Sequence, residues 1–353
     1  MSDQVIKFTE KILISSWLDQ EDVDRIRAVT DEVEVMYFPE LLTRPRFPGD
    51  HGAGMQDVPL SREAEAKWVD LLGQATILFD IDRRYADRIP DLAPNVRWIQ
   101  STSSGIGKSV NSRGYPDRMP NTTITTASGV HAIPLAEFAA MAMLMHSRRA
   151  LHMIEEQRER RWERFNGTDL SSRTVLIIGL GSVGSEIARV SKSLGMKVLG
   201  IRRSPELSTG TSLVDGVYSL DTLHELLPKA EYLVLSAPDT AETEGIIGAE
   251  QIALLKKGAV IINVGRGTLI DELAMIEALE AGQLGGAYLD VFAKEPLPTN
   301  NPLWSMPNVL VNAHSASTSD KENARIVDLF CQNLTRYLNG EPLMNVLDPV
   351  KGY

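Results

Sequence analysis

The stretch Thr174-Val175-Leu176-Ile177-Ile178-Gly179-Leu180-Gly181-Ser182-Val183-Gly184 decides the fold. Its first part is an apolar run bounded by glycine, which reads as a strand over Thr174–Gly179 covered on both faces. Its second part opens a helix over Ser182–Leu194, with Val183, Ile187, Val190 and Leu194 at helical spacing and Gly195 as the stop. A G-x-G-x-x-G between a buried strand and an amphipathic helix is the fingerprint of a dinucleotide-binding βαβ unit. Gly179, Gly181 and Gly184 serve the tight turn, the approach of backbone to pyrophosphate, and helix–strand packing. The first N–H groups of the helix, from Ser182 and Val183 on, face the phosphates with the positive end of the helix dipole.

The next strand, Lys197–Ile201, runs into Arg202, Arg203 and Ser204. A site for NAD normally places Asp or Glu there to bind the ribose hydroxyls. A carboxylate repels a 2′-phosphate, whereas a guanidinium binds one. The sequence therefore favours NADP(H), with NAD(H) still possible.

Downstream, the pattern repeats. Apolar runs at Tyr232–Ser236, Ala259–Val264, Gly286–Val291 and Val309–Asn312 read as further parallel strands. A helix is expected over Asp271–Ala281, with Asp271 as cap and Leu273, Ile276 and Leu279 as its apolar stripe. Upstream, a weaker β-α-β series covers Ile12–Ser15, Asp19–Val29, Val33–Phe38, Ser61–Leu72, Ala75–Phe79 and Val96–Ile99. Between these, 42–58 is a long Pro- and Gly-rich loop, either functional or mobile. Ile133–Arg149 is apolar almost all round and is either a core helix or an interface helix. The charged stretch Glu155–Arg164 reads as a solvated helix. A last helix is expected over Asp320–Leu338. The fold class is thus α/β, with two doubly wound parallel-sheet domains. A Rossmann cofactor domain (126–316) is expected to be inserted into a smaller, flavodoxin-like substrate domain (1–125 and 317–353).

Composition narrows the function. The chain has 353 residues, 43% of them hydrophobic and 24% charged, so it is globular. A net charge of −11 argues against nucleic acid as a partner. No apolar run reaches the ~20 residues of a membrane span. No signal peptide is read at the N-terminus. The single cysteine, Cys331, forbids an internal disulfide and fits a reducing, cytoplasmic setting. No histidine pattern such as H-E-x-x-H is present, so no metal site is expected. His51, His146, His152 and His224 read as structural or surface residues, and His131 is a candidate for the wall of the cofactor cleft.

Three charged or titratable residues follow strands of the second series: Arg266 in Asn263-Val264-Gly265-Arg266-Gly267-Thr268, Glu295 in Asp290-Val291-Phe292-Ala293-Lys294-Glu295-Pro296, and His314 in Asn312-Ala313-His314-Ser315. Arg266 and His314 fall just past the carboxyl ends of parallel strands, where open α/β sheets bind ligands. With Gly129-Val130-His131-Ala132, Leu135-Ala136-Glu137 and Ala237-Pro238-Asp239-Thr240 followed by Glu242-Thr243, these motifs resemble the D-isomer-specific 2-hydroxyacid dehydrogenase family over most of the chain. Within it the sequence looks most like the glyoxylate/hydroxypyruvate reductases.

The resemblance implies roles. His314 is the general acid for the carbonyl oxygen, Glu295 is its partner, and Arg266 holds the substrate carboxylate. Asp290 meets the nicotinamide amide. Pro238, Thr243 and Val264 join the glycine turn and Arg202–Ser204 in binding the dinucleotide. Backbone N–H groups of Ser104 and Gly105 face the substrate. The family also implies a homodimer. Two departures stand out: Gly107 where the family often has Asp, and Ala313 where it often has Pro. They remove no reacting group but leave the preferred acid open. The reading is an NADP(H)-dependent reductase of a small 2-keto acid such as glyoxylate or hydroxypyruvate. The alternatives are an NAD-dependent dehydrogenase of another 2-hydroxy acid such as 3-phosphoglycerate, or a dinucleotide-sensing regulator on the same fold.

Overall fold

The computed structural model describes residues 10–47, 49–51, 59–204 and 213–349. The chain divides into two units. One combines the segment up to Val130 with the segment from Thr318, and the other is His131–Ser317. Of the long 42–58 loop, positions 48 and 52–58 lie outside the described residues.

In the first unit the strands are β1 (Glu10–Ile14), β2 (Val33–Met36), β3 (Ile77–Phe79), β4 (Trp98–Gln100) and β5 (Thr123–Thr125). They form a wholly parallel sheet in the order β2-β1-β3-β4-β5, the flavodoxin-like arrangement. The connecting helices are α1 (Gln20–Arg27), α2 (Arg62–Gln74), α3 (Ile89–Leu92), α4 (Gly107–Ser112) and α5 (Tyr115–Arg118). The two-residue period of a strand sends Leu13 to one face, with Trp68 and Leu72, and Ile12 and Ile14 to the other, with Val23 and Ile26.

The second unit opens with α6 (Ala132–Ser147) and α7 (Ala150–Arg158). It continues through β6 (Thr174–Ile178), α8 (Ser182–Ser193), β7 (Lys197–Ile201), β8 (Gly216–Tyr218), α9 (Leu223–Leu226), β9 (Tyr232–Leu235), α10 (Ala249–Leu254), β10 (Ala259–Asn263), α11 (Glu272–Glu280), β11 (Leu284–Leu289) and β12 (Val309–Val311). Among the described residues its seven strands are all parallel, in the order β12-β11-β10-β9-β6-β7-β8. The order reverses at β6, so the crevice at the carboxyl ends of β6 and β9 is where this architecture binds dinucleotides. Leu176 and Ile178 pack on one face of the sheet, and Val175 and Ile177 on the other.

The final helix, α12 (Glu322–Leu338), belongs to the first unit. Trp98 of β4 stacks with Phe330 and Tyr337 of α12, at ring separations of 4.9 and 5.5 Å. Asn333 of α12 donates to Gln100 Oε1 at 3.1 Å inside that contact.

The structure departs from the sequence reading in three places. The charged helix expected over 155–164 is instead Ala150–Arg158. Arg160 takes a left-handed φ of 55°. The N–H groups of Arg161 and Arg160 close back on Glu156 and Gln157, a Schellman-type stop. Leu273, expected on the apolar stripe of α11, is 74% exposed; Met275, Ile276 and Leu279 make the buried face. Strands β5 (Thr-Ile-Thr) and β8 (Gly-Val-Tyr) carry no aliphatic run, so no apolar pattern announces them.

Candidate active site

Three neighbouring strands bring the key residues to one edge of the second unit. β10 leads into Arg266, β11 into Asp290 and β12 into His314, and these strands are adjacent in the sheet. The link between them is made by hydrogen bonds. The His314 N–H donates to the Asp290 carbonyl at 3.0 Å. Asp290 Oδ1 accepts the N–H groups of Ser315 (2.8 Å) and Ala316 (2.9 Å) and the side-chain amide of Asn312 (2.7 Å). Asp290 is only 1% exposed. Burial pushes its carboxyl up, and the donors together with the His314 charge pull only partly the other way. His314 itself takes a left-handed φ of 50°, a conformation sparsely used by residues other than glycine.

His314 Nδ1 lies 2.7 Å from Glu295 Oε2. The other carboxylate oxygen, Oε1, accepts the Phe292 N–H at 3.0 Å, so the carboxylate is held from both ends. The bond to Glu295 raises the pKa of His314; burial and the Arg266 charge oppose this, and the Glu295 and Asp290 charges reinforce it. For Glu295, burial pulls upward, but the bonds to His314 and Phe292 and the charges of His314 and Arg266 win, and its pKa is lowered. The pair is therefore an imidazolium–carboxylate dyad over a widened pH range. With Nδ1 engaged by the carboxylate, Nε2 is the nitrogen left to exchange a proton.

Arg266 sits in a turn that Asn263 builds. Asn263 Oδ1 accepts the Gly265 N–H at 3.0 Å, and its amide donates to the Arg266 carbonyl at 2.9 Å. The Arg266 guanidinium donates through Nη1 to the Gly265 carbonyl at 2.7 Å. A Cβ at Gly267 would lie 1.9 Å from the Phe292 carbonyl carbon, so the Arg266 turn rests directly on the loop that carries Glu295. Asn263 and Asn312 are the positioning residues that sequence reasoning missed. Their only signal is an amide side chain close in sequence to a charged residue at a strand end.

The glycine turn fits a dinucleotide. Gly179 has φ +102°, and a Cβ there would lie 2.6 Å from the Ala237 N. A Cβ at Gly184 would lie 2.0 Å from the Gly179 carbonyl oxygen. At Gly181, by contrast, a Cβ would meet nothing within 4 Å. Gly179 and Gly184 thus close the turn while Gly181 faces open space at the N-terminus of α8. The first turn of α8 holds no acidic residue, and Ser182, Val183 and Gly184 supply its unpaired N–H groups.

The other expected cofactor residues, Arg202, Arg203, Ser204, Pro238, Thr243 and Val264, follow β7, β9 and β10. Val264 is buried at the end of β10, its N–H on the Leu235 carbonyl. Thr243 turns inward: its hydroxyl donates to the Pro238 carbonyl (2.6 Å) and accepts the Thr240 N–H (2.9 Å). Arg202 bonds through its backbone to Tyr218. Arg203 Nη2 lies 2.9 Å from Glu242 Oε2, and Ser204 follows at the edge of the described residues. His131 is the residue before α6. Ser104 and Gly105 belong to the other unit, in the loop between β4 and α4. In that unit Asp80, past β3, takes a left-handed φ of 72° and accepts hydrogen bonds from Ser16 and Thr102. Among the described residues no cluster of His, Cys, Asp and Glu could hold a metal ion, and no helix is long and apolar enough to cross a membrane.

Residues 140–316 match the family model described as D-isomer specific 2-hydroxyacid dehydrogenase, NAD binding domain. This chain belongs to the D-isomer specific 2-hydroxyacid dehydrogenase family. The members of that family are NAD(P)-dependent oxidoreductases of 2-hydroxy acids. The dehydrogenase shares 32% identity over 235 residues with a glyoxylate reductase of Korarchaeum cryptofilum, covering 64% of this chain and 69% of that one. It shares 34% over 227 residues with a D-3-phosphoglycerate dehydrogenase of Methanocaldococcus jannaschii, covering 64% of this chain but only 43% of that longer protein. Among solved structures, it resembles an NADPH-dependent glyoxylate/hydroxypyruvate reductase of Sinorhizobium meliloti, crystallised with NADP and sulfate. The TM-score is 0.75 at 25% identity, over 98% of this chain and 100% of that one. A 2-hydroxyacid dehydrogenase of Xanthobacter autotrophicus Py2, crystallised with NADPH, gives a TM-score of 0.76 at 27% identity, over 98% and 99%.

Proposed function

We propose that this dehydrogenase is an NADP(H)-dependent reductase of small 2-keto acids such as glyoxylate or hydroxypyruvate. The observation that carries the chemistry is the 2.7 Å bond between His314 and Glu295 at the strand end next to Arg266. The observation that favours NADP(H) is the pair Arg202–Arg203 past β7, where a carboxylate would favour NAD. The glyoxylate/hydroxypyruvate reductase likeness supports the substrate class.

In this reading a bound dihydronicotinamide supplies the hydride that reaches the carbonyl carbon. Arg266 binds the substrate carboxylate, its planar fork matching the two oxygens. His314 then donates the proton that converts the carbonyl oxygen to a hydroxyl. Glu295 stays ionised and stabilises the imidazolium until that transfer. Asp290 offers its second oxygen, Oδ2, to the carboxamide. The partner of the chain is a second copy of itself, and the compartment is the cytoplasm.

A second reading, oxidation of a phosphorylated 2-hydroxy acid, draws on the phosphoglycerate dehydrogenase relative. The separating experiment follows absorbance at 340 nm, where reduced nicotinamide absorbs. Purified protein is given NADPH or NADH with glyoxylate, hydroxypyruvate or 3-phosphohydroxypyruvate. Fast NADPH oxidation with the first two supports the proposal. Turnover confined to the phosphorylated acid with NADH replaces it with the second reading, and turnover with none of them leaves a dinucleotide-binding regulator.

A further inference from the structure

The bond between Arg203 and Glu242 has a consequence for cofactor choice. Arg203 lies just past β7 and Glu242 lies in the turn after β9. Those two strands flank β6, whose carboxyl end carries the glycine turn. The ion pair therefore joins the two banks of the crevice in which the dinucleotide is expected to lie.

Glu242 is held in place by its own loop. The Thr243 and Glu244 N–H groups both close on the Thr240 carbonyl at 3.0 Å. The Thr243 hydroxyl is fixed between the Pro238 carbonyl and the Thr240 N–H. The carboxylate is presented by a built turn, and the Arg203 guanidinium meets it at 2.9 Å. Both side chains are substantially exposed, Arg203 at 47% and Glu242 at 65%. An exposed pair of this kind is weak and exchanges readily.

We propose that Glu242 is a specificity-determining residue that competes with a 2′-phosphate for Arg203 and so moderates the preference for NADP(H) over NAD(H). The proposal rests on the assignment of Arg202 and Arg203 to the 2′-phosphate side of the cofactor. A phosphate group carries more charge and more acceptor oxygens than a carboxylate, so it displaces Glu242 from Arg203. The displaced carboxylate is then left beside a like charge. That cost falls on the 2′-phosphorylated cofactor alone, because a 2′-hydroxyl neither displaces Glu242 nor repels it.

The test is calorimetric binding of 2′,5′-ADP and 5′-AMP to the full chain, for the unmutated protein and for Glu242→Gln. The substitution keeps the size and hydrogen-bonding reach of the side chain and removes its charge. Thermal melts confirm that the variant is folded. The expected result is tighter 2′,5′-ADP binding by roughly two- to fivefold, the range spanned by exposed ion pairs, with 5′-AMP unchanged. The gain should shrink when salt is raised, as screening of an exposed charge requires. It should also be smaller when Arg203 is already replaced by Gln. An unchanged affinity ratio overturns the proposal, and so does weaker 2′,5′-ADP binding, which would make Glu242 a support for Arg203 rather than a competitor. The underlying assignment fails separately: an unmutated protein that binds 5′-AMP as tightly as 2′,5′-ADP refutes the 2′-phosphate role of the arginines, while the Glu242→Gln ratio still reports on Glu242.

Discussion

Asn312 donates its side-chain amide to Asp290 Oδ1 at 2.7 Å, and Asp290 in turn accepts the His314 N–H on its carbonyl at 3.0 Å. Through its buried carboxylate and its carbonyl, Asp290 thus holds the Asn312 side chain before the proposed acid and the N–H groups of His314, Ser315 and Ala316 from the acid onward. The residue between Asn312 and His314 is Ala313 rather than the proline common in the family, so the ring that would stiffen this turn is missing. The hydrogen bonds to Asp290 hold His314 at its left-handed φ instead.

Asn312→Ala should therefore destabilise the protein by about 1.5–3 kcal/mol, the scale of a hydrogen bond to a charged group. It should also lower kcat by allowing the His314 turn to relax, while dinucleotide affinity changes little. Denaturant melts and steady-state kinetics read the two effects. A loss of stability with unchanged kcat would show that Asn312 supports the fold but does not position the acid.

Gly267→Ala tests the contact between the Arg266 turn and the Glu295 loop. The added Cβ would lie 1.9 Å from the Phe292 carbonyl carbon, so backbone must move. Overpacking of this kind costs typically about 1–3 kcal/mol, and the shift should slow turnover more than it lowers stability. Near-normal activity would mean that the two loops move independently.

Much of this was legible in the sequence. The apolar strands from β6 onward and the glycine turn stand out because parallel strands buried on both faces leave long aliphatic runs. The positions of Arg266 and His314 also read directly, since each follows such a run, whereas Asp290 and Glu295 stood out only through the family resemblance. What did not read was how they are held. Asn263, Asn312 and Gly267 act through one or two hydrogen bonds or one close approach, and none leaves a periodic trace. The stop of α7 at Arg158 was equally hidden, because it depends on Arg160 adopting a left-handed conformation. Leu273 shows the opposite error, an apolar residue at helical spacing that faces solvent.

Arg266→Lys keeps a positive charge but loses the planar fork. If Arg266 binds the substrate carboxylate, the apparent KM for the keto acid should rise and kcat should fall, while NADPH binding holds. A fall in kcat with an unchanged KM would place the arginine on the reacting carbonyl alone.

Trp162 is 98% exposed, and Ile133, Met141 and Leu144 form an exposed apolar strip on one face of α6. Large exposed apolar side chains on one helix face, here interrupted by the exposed Glu137, are the kind of surface that an interface covers, which supports the proposed homodimer. Light scattering at micromolar concentration should give twice the chain mass, and the double variant Met141→Glu, Leu144→Glu should lower it to one chain. A monomeric unmutated protein would count against the dimer.

The most informative single variant is Glu295→Gln. In the native protein the bond to Glu295 raises the His314 pKa above its ordinary 6.5 against the pull of burial. Glutamine keeps the shape but removes the charge, so burial and Arg266 then act on His314 with only Asp290 opposing them. The His314 pKa should fall. Keto acid reduction consumes the imidazolium, which disappears as pH rises, so the basic limb of the kcat/KM profile should move to lower pH. Oxidation of the hydroxy acid needs neutral imidazole, and its acidic limb should move the same way. Stability gives an independent check. A raised His314 pKa stabilises the fold below its unfolded value of 6.5, and this is lost as pH rises through the folded pKa. A lowered Glu295 pKa stabilises above its unfolded value of 4.5, and this is lost as pH falls through the folded pKa. The Tm difference between native and variant proteins should thus be largest between these two values, and small because both side chains are a third to a half exposed. A basic limb that stays in place would show that Glu295 does not tune His314, and the proton donor would have to be sought elsewhere.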